Sequence, residues 1–210
     1  MLHTETVAPS TLELLNRLMS DQLFQDFRLV GGTSLSLQIG HRISIDLDLF
    51  SDTAFDEISL KIHLEKDYNL ITEFLARETV KGEISGVQID CIAHKYKWLS
   101  PATTIGNIRL ASLEDIAAMK LNAITGNGTR IKDFIDIAYL SSIFSFNQML
   151  DFYNLKYNSS TLMPMKAITY FDDINFKEPI KMINGNFSWK IISKRLELMQ
   201  RHSSKRFPIL

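Results

Sequence analysis

A single cysteine, Cys91, stands in 210 residues, so no internal disulfide can form and the chain is expected to work in a reducing compartment. The segment from Met1 to Ser10 lacks a basic start followed by an apolar run, so no signal peptide is expected and the expected location is the cytoplasm. No stretch of roughly 18 uninterrupted apolar residues occurs, which argues against a membrane-spanning helix. Charge of neither sign dominates: 23 Lys and Arg stand against 24 Asp and Glu, a net charge of −1. That total does not announce a nucleic-acid binder, although a local basic patch fits inside it. A Walker A loop and a GxGxxG fingerprint are both missing. His41 and His94 have no partner at metal-ligand spacing and are read as structural. Internal repeats and low-complexity tracts are absent. What remains is an ordinary globular composition, 45% hydrophobic and 22% charged. The length suits one large domain or two small ones, with a core that needs no staples.

Periodicity divides the chain near residue 111. Ser10-Thr-Leu-Glu13 has the form of a capping box after Pro9 and opens a helix bearing Leu14, Leu15, Leu18 and Met19. A short strand over 27–30 runs into Gly31-Gly32, and a helix from about Thr33 stops at Gly40. Residues 43–50 alternate as a strand, and 58–66 look helical. Residues 70–80 and 86–94 are expected as strands flanking a Lys81-Gly82 turn, with a short edge strand at 108–111. Ser112-Leu-Glu-Asp115 then caps a helix carrying Ile116, Met119, Lys120 and Ala123, which Gly126-Asn-Gly128 breaks. Further helices are expected near 130–142, 146–156, 161–170 and 188–203. The expected fold is α/β over 1–111, a mixed sheet with flanking helices, followed by a helical part over 112–210.

The sharpest chemical feature is Ile45-Asp46-Leu47-Asp48-Leu49-Phe50. On a strand, Ile45, Leu47 and Leu49 face the core, and Asp46 and Asp48 share the other face roughly 7 Å apart. Two like charges that close call for a cation, and Mg²⁺ takes one or two carboxylates while keeping positions for water and phosphates. An isolated Asp-x-Asp is equally a solvated strand face. In Val87-Gln88-Ile89-Asp90-Cys91 the same alternation sets Asp90 opposite the apolar Val87, Ile89 and Cys91. If the two strands are neighbours, Asp90 completes a three-carboxylate cluster of the kind that serves two metal ions. Gly31-Gly32-Thr33-Ser34 stands at a strand-to-helix junction, where glycines admit a close ligand and free helix N–H groups meet phosphate. A tight turn capped by Thr33 is the plain alternative.

Taken together, Gly31-Gly-Thr-Ser-Leu35 and Gly40-His-Arg42-x-Ser44-x-Asp46-Leu-Asp48-Leu-Phe50 resemble the nucleotidyltransferase family that includes the AbiEii/AbiGii toxins of bacterial toxin–antitoxin and phage-abortive-infection systems. The resemblance continues in Ala118-Met-Lys120-Leu-Asn-Ala123 and in Arg130-Ile-Lys132-Asp133-Phe-Ile-Asp136, and spans about residues 25–142. The sequence departs from the family at Lys132, where an arginine is usual; Arg130 stands two residues earlier. The resemblance implies transfer of a nucleoside monophosphate from an NTP to an acceptor hydroxyl, with Mg²⁺ or Mn²⁺. It implies metal ligation by Asp46, Asp48 and Asp90, with Asp90 also helping to deprotonate the acceptor. It implies a phosphate cradle of Gly31, Gly32, Thr33 and Ser34, and a phosphate contact from Lys120.

Arg42 is expected to orient the carboxylates. Arg130, Asp133 and Asp136 are expected at the nucleotide site. The two aspartates share a helix face, so pairing with Arg130 and Lys132 is the alternative, and a solvated surface lysine is the alternative for Lys120. Family precedent points to tRNA as acceptor and to a cognate antitoxin as partner. A non-catalytic nucleotide-binding protein on the same fold, or a phosphotransferase acting on a protein, is the competing reading. Lys190, Lys194, Arg201 and Lys205 stripe the last helix opposite Ile191, Ile192, Leu196 and Met199. That stripe is either solvated surface or a contact for an RNA backbone.

Overall fold

The apolar residues that alternate through the first half of the chain become one face of a seven-stranded sheet. The computed structural model describes residues 2–210. The chain divides into two units, Met1–Ala111 and Ser112–Leu210.

In the first unit the elements run α1 (Pro9–Ser20), β1 (Arg28–Leu29), α2 (Gly31–Ile39), β2 (Leu47–Ser51), α3 (Glu57–Tyr68), β3 (Ile71–Ala76), β4 (Thr79–Ile84), β5 (Val87–Ala93), β6 (Thr103–Ile105) and β7 (Ile108–Leu110). Short 3₁₀ turns form at Thr4–Thr6 and Gln22–Phe24. The sheet order is β3-β4-β5-β2-β1-β7-β6. β2 with β5 and β1 with β7 are parallel, and the other neighbours are antiparallel.

Cross-strand register lines up Leu110, Leu29, Leu49, Cys91 and Val80 as one row across β7, β1, β2, β5 and β4. All five are buried, and Leu15 and Leu18 of α1 and Leu60 and Leu64 of α3 belong to the same core. The sheet is thus closed on this face by helices, and its alternate residues, Asp48 and Asp90 among them, are left for the other face.

Several local expectations are corrected. Helix α1 begins at Pro9 with Ala8 as its N-cap and no side-chain cap bond. Proline's fixed φ and missing N–H suit the first helical position, so Ser10 falls inside the helix instead of capping it. Strand β2 begins at Leu47 rather than Ile43, and Ile45 is 57% exposed instead of entering the core. The approach to β2 is braced elsewhere: the Ser44 N–H donates to the Thr6 carbonyl at 3.0 Å, and Thr33 Oγ1 donates to the Asp46 carbonyl.

Lys81 and Gly82 lie within β4, not in a turn. Gly82 is needed there because the Ile71 carbonyl of β3 occupies the place a Cβ would take. The turns fall at Arg77-Glu78 and Ser85-Gly86, where Glu78, Ser85 and Gly86 carry positive φ of 53°, 51° and 83°. Strand β7 is internal and not an edge, because β6 pairs with it on its outer side.

The second unit contains α4 (Leu113–Gly126), α5 (Ile131–Leu140), α6 (Phe146–Tyr157), α7 (Leu162–Ala167) and α8 (Trp189–Arg201). Helix α4 packs against α5, α6 and α7, and α8 packs against α5. Ser112 caps α4 by accepting the Asp115 N–H, and Asn127 ends it. Asp115 is fully buried: one carboxylate oxygen accepts from Ser112 Oγ, and the other receives Lys156 Nζ of α6, each at 2.8 Å. On α8, Ile192, Leu196 and Met199 are buried, while Ile191 is 56% exposed and departs from the expected apolar side. Lys190, Lys194, Arg201 and Lys205 are exposed. Among the described residues no helix is long and apolar enough to cross a membrane.

Two outcomes follow from burial. Burial first, and the neighbouring Asp90 charge second, push the Cys91 thiol well above its ordinary value. Native protein is therefore expected to resist alkylation by iodoacetamide, with full labelling after denaturation, read by mass spectrometry. Replacing Lys156 by Ala leaves Asp115 buried without its ammonium and should cost about 3–5 kcal/mol, measured by urea unfolding.

Candidate active site

The register of the parallel pair β2–β5 sets Asp48 directly beside Asp90. Both occupy the sheet face opposite the buried Leu49–Cys91 row, because neighbouring residues on a strand alternate sides. Asp46 precedes β2 by one residue and is half-buried. Its backbone is held from α2, since the Asp46 carbonyl accepts Thr33 Oγ1 at 2.5 Å.

Strand β1 delivers the chain to α2 right next to this pair. The Val30 N–H donates to the Asp48 carbonyl at 2.8 Å, and Gly31 turns with φ of 68° to begin the helix. The Asp48 carboxylate lies against Gly31, where a Cβ would collide with Oδ2. The Arg42 guanidinium and the Ser44 hydroxyl lie against Gly32 in the same way. The glycine pair therefore admits side chains of this protein: a carboxylate at the first glycine and a buried guanidinium at the second. The first intrahelical bond is Ser34 N–H to the Val30 carbonyl, at 3.3 Å. The N–H groups of Gly31, Gly32 and Thr33 precede it and form the electropositive end of α2.

Thr33 and Ser34 are occupied differently from the expected phosphate cradle. Both are buried. Thr33 Oγ1 also contacts Ser44 Oγ at 2.9 Å, and Ser34 Oγ accepts from Gln38 Nε2 at 3.2 Å. Their hydroxyls tie α2 to the approach of β2 and to its own next turn. Arg42 is 2% exposed and donates to the Ile43 carbonyl at 3.1 Å. The N-terminal segment closes the far end of α2: the His3 N–H donates to the Leu37 carbonyl at 2.8 Å, and the His3 ring covers Gly40.

Asp90 has a partner that the sequence reading missed. On β4, Lys81 is in register with Asp90, and Lys81 Nζ is paired with Asp90 Oδ2. The signal was present once the turn is put at Ser85-Gly86. Pairing Ile84 with Val87 and counting back three residues on each strand brings Lys81 opposite Asp90. Lys81, Asp90 and Asp48 thus form a row across β4, β5 and β2. Among the described residues no group of three or more His, Cys, Asp or Glu is arranged to hold a metal ion, so Asp46, Asp48 and Asp90 do not converge as one ligand set. Two carboxylates are sufficient protein ligands for Mg²⁺, and carboxylate oxygen is the donor it prefers. The side-by-side Asp48 and Asp90, with Asp46 two residues before Asp48, fit that requirement.

The remaining expected residues belong to the second unit. Lys120 is buried on α4, and its ammonium bridges Asp133 Oδ1 and Asp136 Oδ2 of α5 at 2.6 and 2.7 Å. Asp133 Oδ2 is buried with no hydrogen-bond partner. The alternative pairing of these aspartates with Arg130 and Lys132 is corrected: Lys132 pairs with Glu178 at 2.7 Å, and Arg130 is exposed at the head of α5. One residue along a helix is a turn of roughly 100°, which takes Lys132 off the face that Asp133 and Asp136 share.

Comparison with known proteins bears on the family and the fold. The model of a family described as nucleotidyl transferase AbiEii toxin, Type IV TA system, matches residues 13–103 and 72–180. An uncharacterised protein of Aquifex aeolicus is 28% identical over 168 residues, covering 77% of this chain and 81% of its own. The crystal structure of a Helicobacter pylori protein described as a candidate nucleotidyltransferase superposes with a TM-score of 0.58 at 18% identity, over 94% of this chain and 96% of that one. MenT4, a nucleotidyltransferase toxin of Mycobacterium tuberculosis, gives a TM-score of 0.58 at 14% identity, over 91% of this chain and 80% of its own. These structures have the same fold as this chain.

Gly31→Ala combines an unfavourable positive φ with a collision at Asp48. It should cost about 1–3 kcal/mol of stability and shift the Asp48 carboxylate. Gly106→Ala, with a similar φ of 62° but open space around it, separates the two effects. Thermal unfolding should show both losses, the Gly31 variant having the larger.

Proposed function

The chain belongs to the AbiEii nucleotidyltransferase toxin family, and on that premise we propose that it moves a nucleoside monophosphate from an NTP to an acceptor hydroxyl on RNA, tRNA being the leading acceptor. The observation that carries this reading is the Asp48–Asp90 register beside a glycine-headed helix N-terminus. Carboxylates that hold a cation and N–H groups that receive phosphate then stand within one unit, on elements fixed by the sheet.

In this reading the N–H groups of Gly31 and Gly32 receive the outer phosphates, and Thr33 and Ser34 hold that turn rigid from behind. The side-by-side Asp48 and Asp90, with Asp46 close by on the approach to β2, would hold the divalent ion, Mg²⁺ or Mn²⁺. Bound there, the ion would neutralise charge on the triphosphate oxygens. Arg42, packed against Gly32, keeps the turn and the carboxylates in mutual position. The acceptor oxygen bonds to the α-phosphorus as the bond to the bridging oxygen breaks. Pyrophosphate leaves, and the hydroxyl proton passes to the Asp90 carboxylate. The α/β unit, 1–111, carries this chemistry in the proposal. The helical unit, 112–210, carries the Lys120–Asp133–Asp136 brace and, at Arg130, a cation available to an anionic ligand. A toxin role with a cognate antitoxin as partner, in abortive infection, follows from the family and belongs to the same proposal.

Incubation with Mg²⁺, each α-³²P NTP in turn and total bacterial RNA should label a tRNA-sized band. The Asp46→Ala/Asp48→Ala variant should reduce the label at least about a hundredfold. Nucleotide binding without transfer to RNA or protein would favour a binding protein on the same fold. Label delivered only from γ-³²P, onto protein, would favour phosphotransfer.

A further inference from the structure

Lys81 takes no part in the reaction as just described, yet it is built into the same row. Its Cα is in register with Asp90 near the middle of β4, flanked by β3 and β5, so its stem starts from a fixed point. Its ammonium is on Asp90 Oδ2, and both side chains are partly exposed. Asp90 therefore stands between an ammonium on one strand and a second carboxylate, Asp48, on the other. Two carboxylates on adjacent strands repel each other, and a cation on either lowers that cost. On Asp90 the structure supplies that cation as Lys81, and Asp46, Asp48 and Asp90 are not gathered into one ligand group. Lysine suits a replaceable counter-ion: the charge is compact, strongly hydrated and carried on four flexible carbons, so it can leave one oxygen without moving the backbone.

We propose that Lys81 is the resident counter-ion of Asp90, a positioning residue that occupies the carboxylate in the nucleotide-free protein and must yield it to the divalent ion. This rests on the reading of Asp90 as a metal-binding carboxylate. Divalent-ion loading is then opposed by a built-in competitor until the phosphates of an NTP add their own ligands. The consequence is weak ion binding by the free protein and a strong coupling of ion to nucleotide.

The test is Mn²⁺ titration of nucleotide-free protein, followed by electron paramagnetic resonance of the free ion, with no turnover involved. Lys81→Met keeps the stem and removes the charge, and it should bind Mn²⁺ about fivefold more tightly than wild type, the size of a partly exposed ion pair. Lys81→Arg should stay near wild type. Adding Asp90→Asn to Lys81→Met should cancel the gain. Lys81→Gln provides a second neutral side chain should the Met variant melt early. Unchanged or weaker Mn²⁺ binding in the neutral variants, with wild type still binding, overturns the counter-ion role alone. A gain that survives Asp90→Asn also overturns it. Absence of Mn²⁺ binding in wild type and neutral variants alike overturns both this inference and the metal reading of Asp90.

Discussion

The parallel pairing of β2 with β5 is the constraint on which the candidate site depends. It sets Leu49 against Cys91 and, one residue along, Asp48 against Asp90. A slip of one residue would send the aspartates into the core and the apolar residues out. The register is thus secured by the hydrophobic row through Leu110, Leu29, Leu49, Cys91 and Val80, and the polar row inherits its alignment. Stability and site geometry share one cause here: the same burial that covers Cys91 holds two like charges side by side.

Close packing around the glycine pair then joins α2 to that row. Gly31 and Gly32 make room for the Asp48 carboxylate and the Arg42 guanidinium, and the Thr33 hydroxyl fastens the helix to the backbone before β2. These contacts, made behind the first N–H groups of α2, fix the start of the helix against the approach to β2. The second unit uses a different device. Its lysines are buried against carboxylates, Lys156 with Asp115 and Lys120 with Asp133 and Asp136, and these pairs tie α6 and α5 to α4. Such pairs add little net stability over apolar contacts but penalise any other arrangement of the helices.

The alternation Leu47-x-Leu49 and Val87-x-Ile89-x-Cys91, the Gly31-Gly32 junction and the Ser112 cap were all legible in the residue order. So were the family motif and the mixed α/β fold it implies, because each depends on neighbours within a few residues and on the fixed periods of strands and helices. The bounds of β2, the hairpin turns, the internal position of β7 and the occupation of the Thr33 and Ser34 hydroxyls were not. Those depend on partners far along the chain: Thr6 for Ser44, Ile71 for Gly82, β6 for β7. Lys81 marks the boundary most clearly. The residue order suggested a turn at Lys81-Gly82, and its place beside Asp90 required knowing which two residues turn the hairpin. Side-chain identity and spacing determined which chemistry this protein carries. Strand register and packing, which arise only when distant segments bury their apolar faces together, decided which charge meets which.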